Sequence, residues 1–150
     1  MEFSRWIGQA RPIEQMGVVE FDAQYRRVAG LAKLLERSFK SPQTALLVPL
    51  LFENLRLCAL RYFRFEEKLL LCFRPEEQQE HLLDHDYLQR SLSELSQASP
   101  HLPSGQLETR SLEIFEYWIY QHMERKDRAL AQWLCDQNKF CQLYLPVLCD

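Results

Sequence analysis

Four stretches of the chain carry apolar residues at the three- and four-residue spacing that lines one face of a helix. In FDAQYRRVAGLAKLLERSF the apolar positions are 21, 28, 31, 34, 35 and 39, and Asp22 is placed to cap the start. SPQTALLVPLLFENLRLCALRYFRFEEKLLLCF opens with Ser41 at the N-cap and Pro42 at the first helical position, and a bend is expected at Pro49. Pro75 and the two glutamates after it restart a helix whose stripe is Leu82, Leu83, Leu88, Leu92 and Leu95. SPHLPSG ends it, the clearest turn in the sequence. A last helix, QLETRSLEIFEYWIYQHMERKDRALAQWLCDQNKF, places apolar residues at 112, 115, 118, 119, 123, 130, 133 and 134.

Only four glycines occur in 150 residues, and the prolines fall mostly in or near the breaks, which is an all-α pattern. Four long helices with short connections pack most simply as an up-down-up-down four-helix bundle. With 47% apolar and 26% charged residues, the expectation is one domain over residues 1–150, preceded by an irregular arm over 1–20. The net charge of -3 is spread over mixed signs, so no basic stripe points to nucleic acid. ALLVPLLF is broken by Pro49 and soon followed by charges, so no membrane partner is expected either. Five cysteines, at 58, 72, 135, 141 and 149, have no CxxC spacing, and the N-terminus lacks the apolar run of a signal peptide. Both point to a reducing cytoplasm, with the cysteines as small hydrophobes or free thiols.

The chemistry gathers on three of the four helices. Residues four apart share a helical face, so His81 and His85 form one chelating pair, and Tyr62 and Glu66 form another. Either pair alone is common on a helix that binds nothing. However, the chain has only four histidines, and a third, His122, stands in the last helix five residues before Asp127. Facing helices of a bundle are where imidazoles and carboxylates assemble metal sites, and this donor set suits iron, zinc or manganese. Glu67, Asp84 and Asp86 flank the candidates, placed either to orient the histidines or, as expected here, to be solvated, while Phe63 and Trp118 read as ordinary core. His101 lies in the turn, apart from the site.

In their order these motifs resemble the hemerythrin family. That family carries a histidine three residues after an aspartate on the first helix, then His-x-x-x-Glu, His-x-x-x-His and His-x-x-x-x-Asp on the next three. Here DAQY places Tyr25 at the first position, and YFRFE places Tyr62 and Glu66 at the second motif. HLLDH matches at His81 and His85, and HMERKD matches at His122 and Asp127. GVVEFD also looks like the family's approach to its first helix, and the resemblance spans roughly residues 16–136. It implies a hemerythrin-like bundle holding two iron ions, with His81, His85 and His122 on one iron and Glu66 and Asp127 bridging. Tyr25 and Tyr62 would fall on the other iron; one iron remains if the phenols do not bind.

Both departures fall on the iron that offers the family's open position to oxygen. Two phenolates would bring two more negative charges than the histidines they replace, and would favour Fe(III). The expected function is therefore redox chemistry, or sensing of O2, NO or peroxide, rather than reversible O2 transport, with a small diatomic or peroxide as the ligand. Two other readings stand beside it. One is a di-iron oxidase or peroxidase; the other is a metal-free bundle serving as an interaction module. Each tyrosine also has a plain role as a core ring with its hydroxyl bonded to a carboxylate.

Overall fold

The computed structural model describes residues 16–137. The N-terminal arm before residue 16, together with Cys141 and Cys149, lies outside the described residues.

Gly17 turns the chain into the first helix with a φ of 86°, a conformation that side-chain-bearing residues adopt at a cost. A Cβ there would also meet the Cys135 sulfur at 3.0 Å. The first helix, α1, runs Val19–Lys40. It starts before the position its apolar pattern marks, so Asp22 is in the first turn rather than at the cap. Its carboxylate accepts the Met16 backbone N–H at 2.7 Å, and its charge suits the positive end of the helix.

Ser41 and Pro42 do not open the second helix. Residues 41–44 form a turn closed by the Thr44 N–H on the Ser41 carbonyl, and the Ser41 hydroxyl turns to Gln43. A 3₁₀ turn over Ala45–Leu47 follows, and α2 runs Val48–Phe73. Pro49 therefore lies in the first turn, where a missing N–H costs nothing, and it starts the helix instead of bending it. In α3, Pro75–Ala98, Pro75 opens the helix as expected, with Glu76 and Glu77 in the first turn and bonded to Arg74. The fourth helical rod is continuous but not uniform. It comprises α4 (Ser104–Glu116), a π-helical segment (Tyr117–Asp127) and α5 (Arg128–Asp136).

The described chain is all-α, four helical rods around one apolar core, with no strand among the described residues. Phe52, Phe63, Phe115, Trp118, Leu69 and Leu88 are among the fully buried side chains at its centre. Burying each such side chain favours the folded state by about 1.5–3 kcal/mol. Phe39 meets Phe52 and Phe21 meets Phe65 between α1 and α2, while Tyr87 meets Tyr117 between α3 and the last rod. No helix among the described residues is long and apolar enough to cross a membrane.

The stripe of α3 departs from its apolar pattern. Leu88, Leu92 and Leu95 are buried, but Leu82 and Leu83 are 42% and 66% exposed. The inward positions of that half belong to His81, Asp84 and His85. A helix that sends polar groups inward and leucines outward has traded hydrophobic stabilisation for a polar centre.

Candidate metal centre

Glu66 on α2, His81 on α3 and His122 and Asp127 on the π segment are all buried, and each offers one donor atom within 4.8 Å of the others. The π segment accounts for the last pair. On an α-helix five residues span about 1.4 turns, which would put His122 and Asp127 on different faces. The wider turns of a π-helix return the fifth residue to the same face, and His122 Nε2 lies 3.2 Å from Asp127 Oδ1.

His85 joins from the same side of α3. Its Nε2 is 2.9 Å from Glu66 Oε2 and 3.2 Å from His122 Nε2. The other nitrogens fix the tautomers: His85 Nδ1 faces Glu67 at 2.7 Å, and His122 Nδ1 faces Asp84 at 3.2 Å. A carboxylate can only accept, so both Nδ1 atoms carry protons and both Nε2 atoms turn toward the centre. The two Nε2 atoms, 3.2 Å apart, are compatible only with a proton or a metal ion shared between them. The separations suit a metal: bonds of about 2.1 Å place neighbouring donors about 3 Å apart.

Four polar atoms of the group are left over. Glu66 Oε1, His81 Nε2 and both Asp127 oxygens are buried without a hydrogen bond. His81 Nε2 approaches Asp127 Oδ1 to 3.6 Å, near enough to share an ion but too far for a hydrogen bond. Buried carboxylates left this way are costly, and a metal ion satisfies them together.

The electrostatics have the same origin. Burial alone would raise the pKa of Glu66, but hydrogen bonds and charge from His122 and His85 outweigh it and hold the carboxyl below its usual range. Asp127 moves the other way, raised by burial and then by the Glu66 charge. Burial opposes a charge on His122, yet Asp127, Asp84 and Glu66 push its pKa up to about 10. The pocket is thus a strongly negative one that attracts cations, protons included.

Glu67 and Asp84 are not the solvated residues expected of them. Asp84 is buried, and besides His122 it accepts the Tyr117 hydroxyl at 2.6 Å and pairs with Lys126 at 2.7 Å. These donors keep it ionised although burial opposes the charge, and burial with Asp84 pushes the Tyr117 phenol up to about 12. Asp86 is exposed and paired with Arg90, as its position suggested. Phe63 does more than fill the core, since its ring stacks on His85 at 4.0 Å and nearly parallel. The spacing of Glu67 and Asp84 to the histidines held that signal, one residue after Glu66 and one before His85.

Tyr25 and Tyr62 stand at the edge. Both are half-buried, and neither phenol hydrogen-bonds to a described residue. Burial first and then Glu124 and Tyr120 raise the pKa of Tyr25. Burial also raises that of Tyr62, with Cys58 adding to it and Arg27 and Arg61 opposing it. His101 is exposed in its turn. Among the described cysteines, Cys58 is buried and takes a hydrogen bond from Arg27 at 3.0 Å, and Cys72 is exposed.

A metal bound through His122 Nε2 depends on Asp84 to hold the ring. Asp84→Asn is expected to weaken metal affinity about 10- to 100-fold while the fold survives. Competition against a chromophoric chelator, with circular dichroism as the control, measures it.

Fold and site define a helical bundle whose core holds a buried Glu, His, His and Asp group able to bind a metal. No protein family, curated protein or solved structure matches the chain.

Proposed function

We propose that this protein is a hemerythrin-like non-heme iron protein acting in redox chemistry, or in sensing O2, NO or peroxide, rather than in reversible O2 transport. The observation that carries the reading is the convergence of Glu66, His81, His122 and Asp127 in the core, with four of their polar atoms lacking partners. His85 completes a set of three imidazoles and two carboxylates, in the order in which the family supplies them. Successive helices run in opposite chain senses, Phe21–Phe65 with Phe39–Phe52, Glu66–His85 with Glu53–Ser96 and Glu80–Lys126 with Tyr87–Tyr117, which supports an up-down-up-down order.

Bound iron would supply one-electron chemistry and a position for a small ligand. The protein supplies the rest. His81, His85 and His122 present nitrogen; Glu66 and Asp127 each keep an oxygen for a second ion; Glu67 and Asp84 hold the rings. Glu66, His122 and Asp127 are at most 1% exposed, a depth that suits a diatomic or peroxide over a bulky substrate. For the second ion we assign Tyr62 as a donor. It lies one turn from Glu66 on α2, and a bound cation would have to stabilise its phenolate, because burial and Cys58 raise its pKa against the opposing charges of Arg27 and Arg61. Tyr25, whose pKa is raised by burial and then by the Glu124 charge, is not part of this assignment.

The experiment is metal analysis of the purified protein with a visible spectrum before and after dithionite. About two irons per chain, with a strong colour that Tyr62→Phe removes or shifts, is the expected result. Folded protein that takes up no iron on reconstitution overturns the proposal.

One observation favours an enzyme as the second reading. A cleft of about 430 Å³ is lined by Tyr62, Phe65, Leu57 and Lys68, with Phe65 next to Glu66 in the chain. An oxidase or peroxidase would use such a cleft for an organic reductant. Many turnovers of peroxide per iron with that reductant would favour it, and a single stoichiometric reaction would not.

A further inference from the structure

Of the four helical rods, α1 is the one that gives no member to the Glu66, His81, His122 and Asp127 group. Its inward stripe is Phe21, Gln24, Val28, Leu31, Ala32 and Leu35. A glutamine in that series is anomalous. Gln24 is 1% exposed, and neither its amide oxygen nor its nitrogen has a hydrogen bond. The other inward polar groups of α1, at its far end, are satisfied: Glu36 pairs with Lys40, and Ser38 bonds to the Leu34 carbonyl. An amide sunk into an apolar stripe without a partner is destabilising, so Gln24 is at odds with the core unless something else meets it.

The height of Gln24 in the bundle is set by its neighbours. Three residues before it, the Phe21 ring meets Phe65, the residue next to Glu66. One residue after it, Tyr25 interacts with Tyr120 and Glu124, which bracket His122. Gln24 therefore lies on α1 at the level of the metal group. Its unpartnered amide thus shares a level of the bundle with the unpartnered atoms of Glu66, His81 and Asp127. A cation bound in that layer would meet the amide oxygen of Gln24 together with the free atoms of Glu66, His81 and Asp127.

We propose that Gln24 is the ligand α1 gives to the metal centre, its amide oxygen acting as a neutral donor where the family resemblance puts Tyr25. Consecutive residues on a helix project about 100° apart, so the two side chains cannot face the same point. Gln24 takes the buried direction, and Tyr25 the half-buried one toward Glu124. An amide oxygen is a hard donor of the kind that suits iron or manganese beside carboxylates. It adds no charge, so the centre would carry one anionic phenolate fewer than the two-tyrosine arrangement. With its oxygen on the ion, the amide nitrogen is left to donate to a carboxylate. The inference rests on the proposal that this bundle holds iron.

The test compares wild type, Gln24→Leu, Gln24→Glu and Tyr25→Phe, each chelated and each reconstituted with ferrous iron. Thermal melts and iron competition are the readouts. Gln24→Leu keeps the volume and removes both polar atoms. It is expected to lower iron affinity at least tenfold while the chelated protein melts at the same temperature or higher. A residue serving only the fold would not shift the two states in opposite directions. Gln24→Glu should keep or raise the affinity and melt lower when chelated, and it decides the matter if the leucine variant fails to fold. Tyr25→Phe should keep iron and colour. Wild-type affinity in Gln24→Leu, or loss of iron in Tyr25→Phe alone, overturns the assignment of Gln24 and leaves the iron proposal standing. A wild-type chain that takes up no iron overturns both.

Discussion

Replacing His122 by alanine is expected to abolish metal binding by the buried group. Its Nε2 lies 3.2 Å from donor atoms of Glu66, His85 and Asp127, so it is the one group in contact with both carboxylates and with a second imidazole. Removing a residue that only orients a ligand costs about 10- to 100-fold in affinity, and removing the ligand itself should cost more than about 100-fold. The variant leaves Asp84 without its imidazole, but Lys126 and Tyr117 still satisfy that carboxylate. The helical signal by circular dichroism should therefore persist while metal analysis falls to background. Stoichiometric iron in folded His122→Ala protein would remove this cluster as the metal site.

The helices were legible because their stripes and breaks rest on local rules. Pro75 followed by Glu76 and Glu77 marks a start wherever it occurs, and α3 begins there. Ser41 and Pro42 carry the same kind of signal and form a turn instead. Pro49, seven residues on, competes for the same role and opens α2. Local capping chemistry permits both starts, and packing chooses.

The site divides in a similar way. His81 and His85 were legible as a pair because α-helical spacing is fixed, and both are buried. His122 and Asp127 are five apart, a spacing an α-helix does not bring together. Their meeting depends on a π segment that apolar periodicity does not reveal. The outward turn of Leu82 and Leu83 has the same root. Hydrophobicity alone would bury them, but only one face of α3 can point inward, and the histidines hold it. Gln24 was missed because a glutamine in an amphipathic helix looks like a surface residue until its burial is known.

Removing the metal should destabilise the folded chain substantially, and one substitution should reverse the sign. A ligand that binds only the native state adds about 4 kcal/mol when its free concentration exceeds its dissociation constant a thousandfold. For a chain of this size that is roughly 10 °C of melting temperature between the iron-loaded and chelated forms. The chelated protein must keep Asp127 buried with neither oxygen hydrogen-bonded, and burial and the Glu66 charge both work against its ionised form. Asp127→Asn removes that charge with almost no change of shape. The chelated variant is therefore expected to melt at or above the chelated wild type, while added iron raises its melting temperature little or not at all. Differential scanning calorimetry of the four samples decides it. If the Asp127→Asn protein gains as much from iron as wild type, Asp127 is not a ligand; if it melts lower in both states, the carboxylate serves the fold. A rise without iron and a loss with it is the signature of a residue kept for a cation, at the expense of the core that surrounds it.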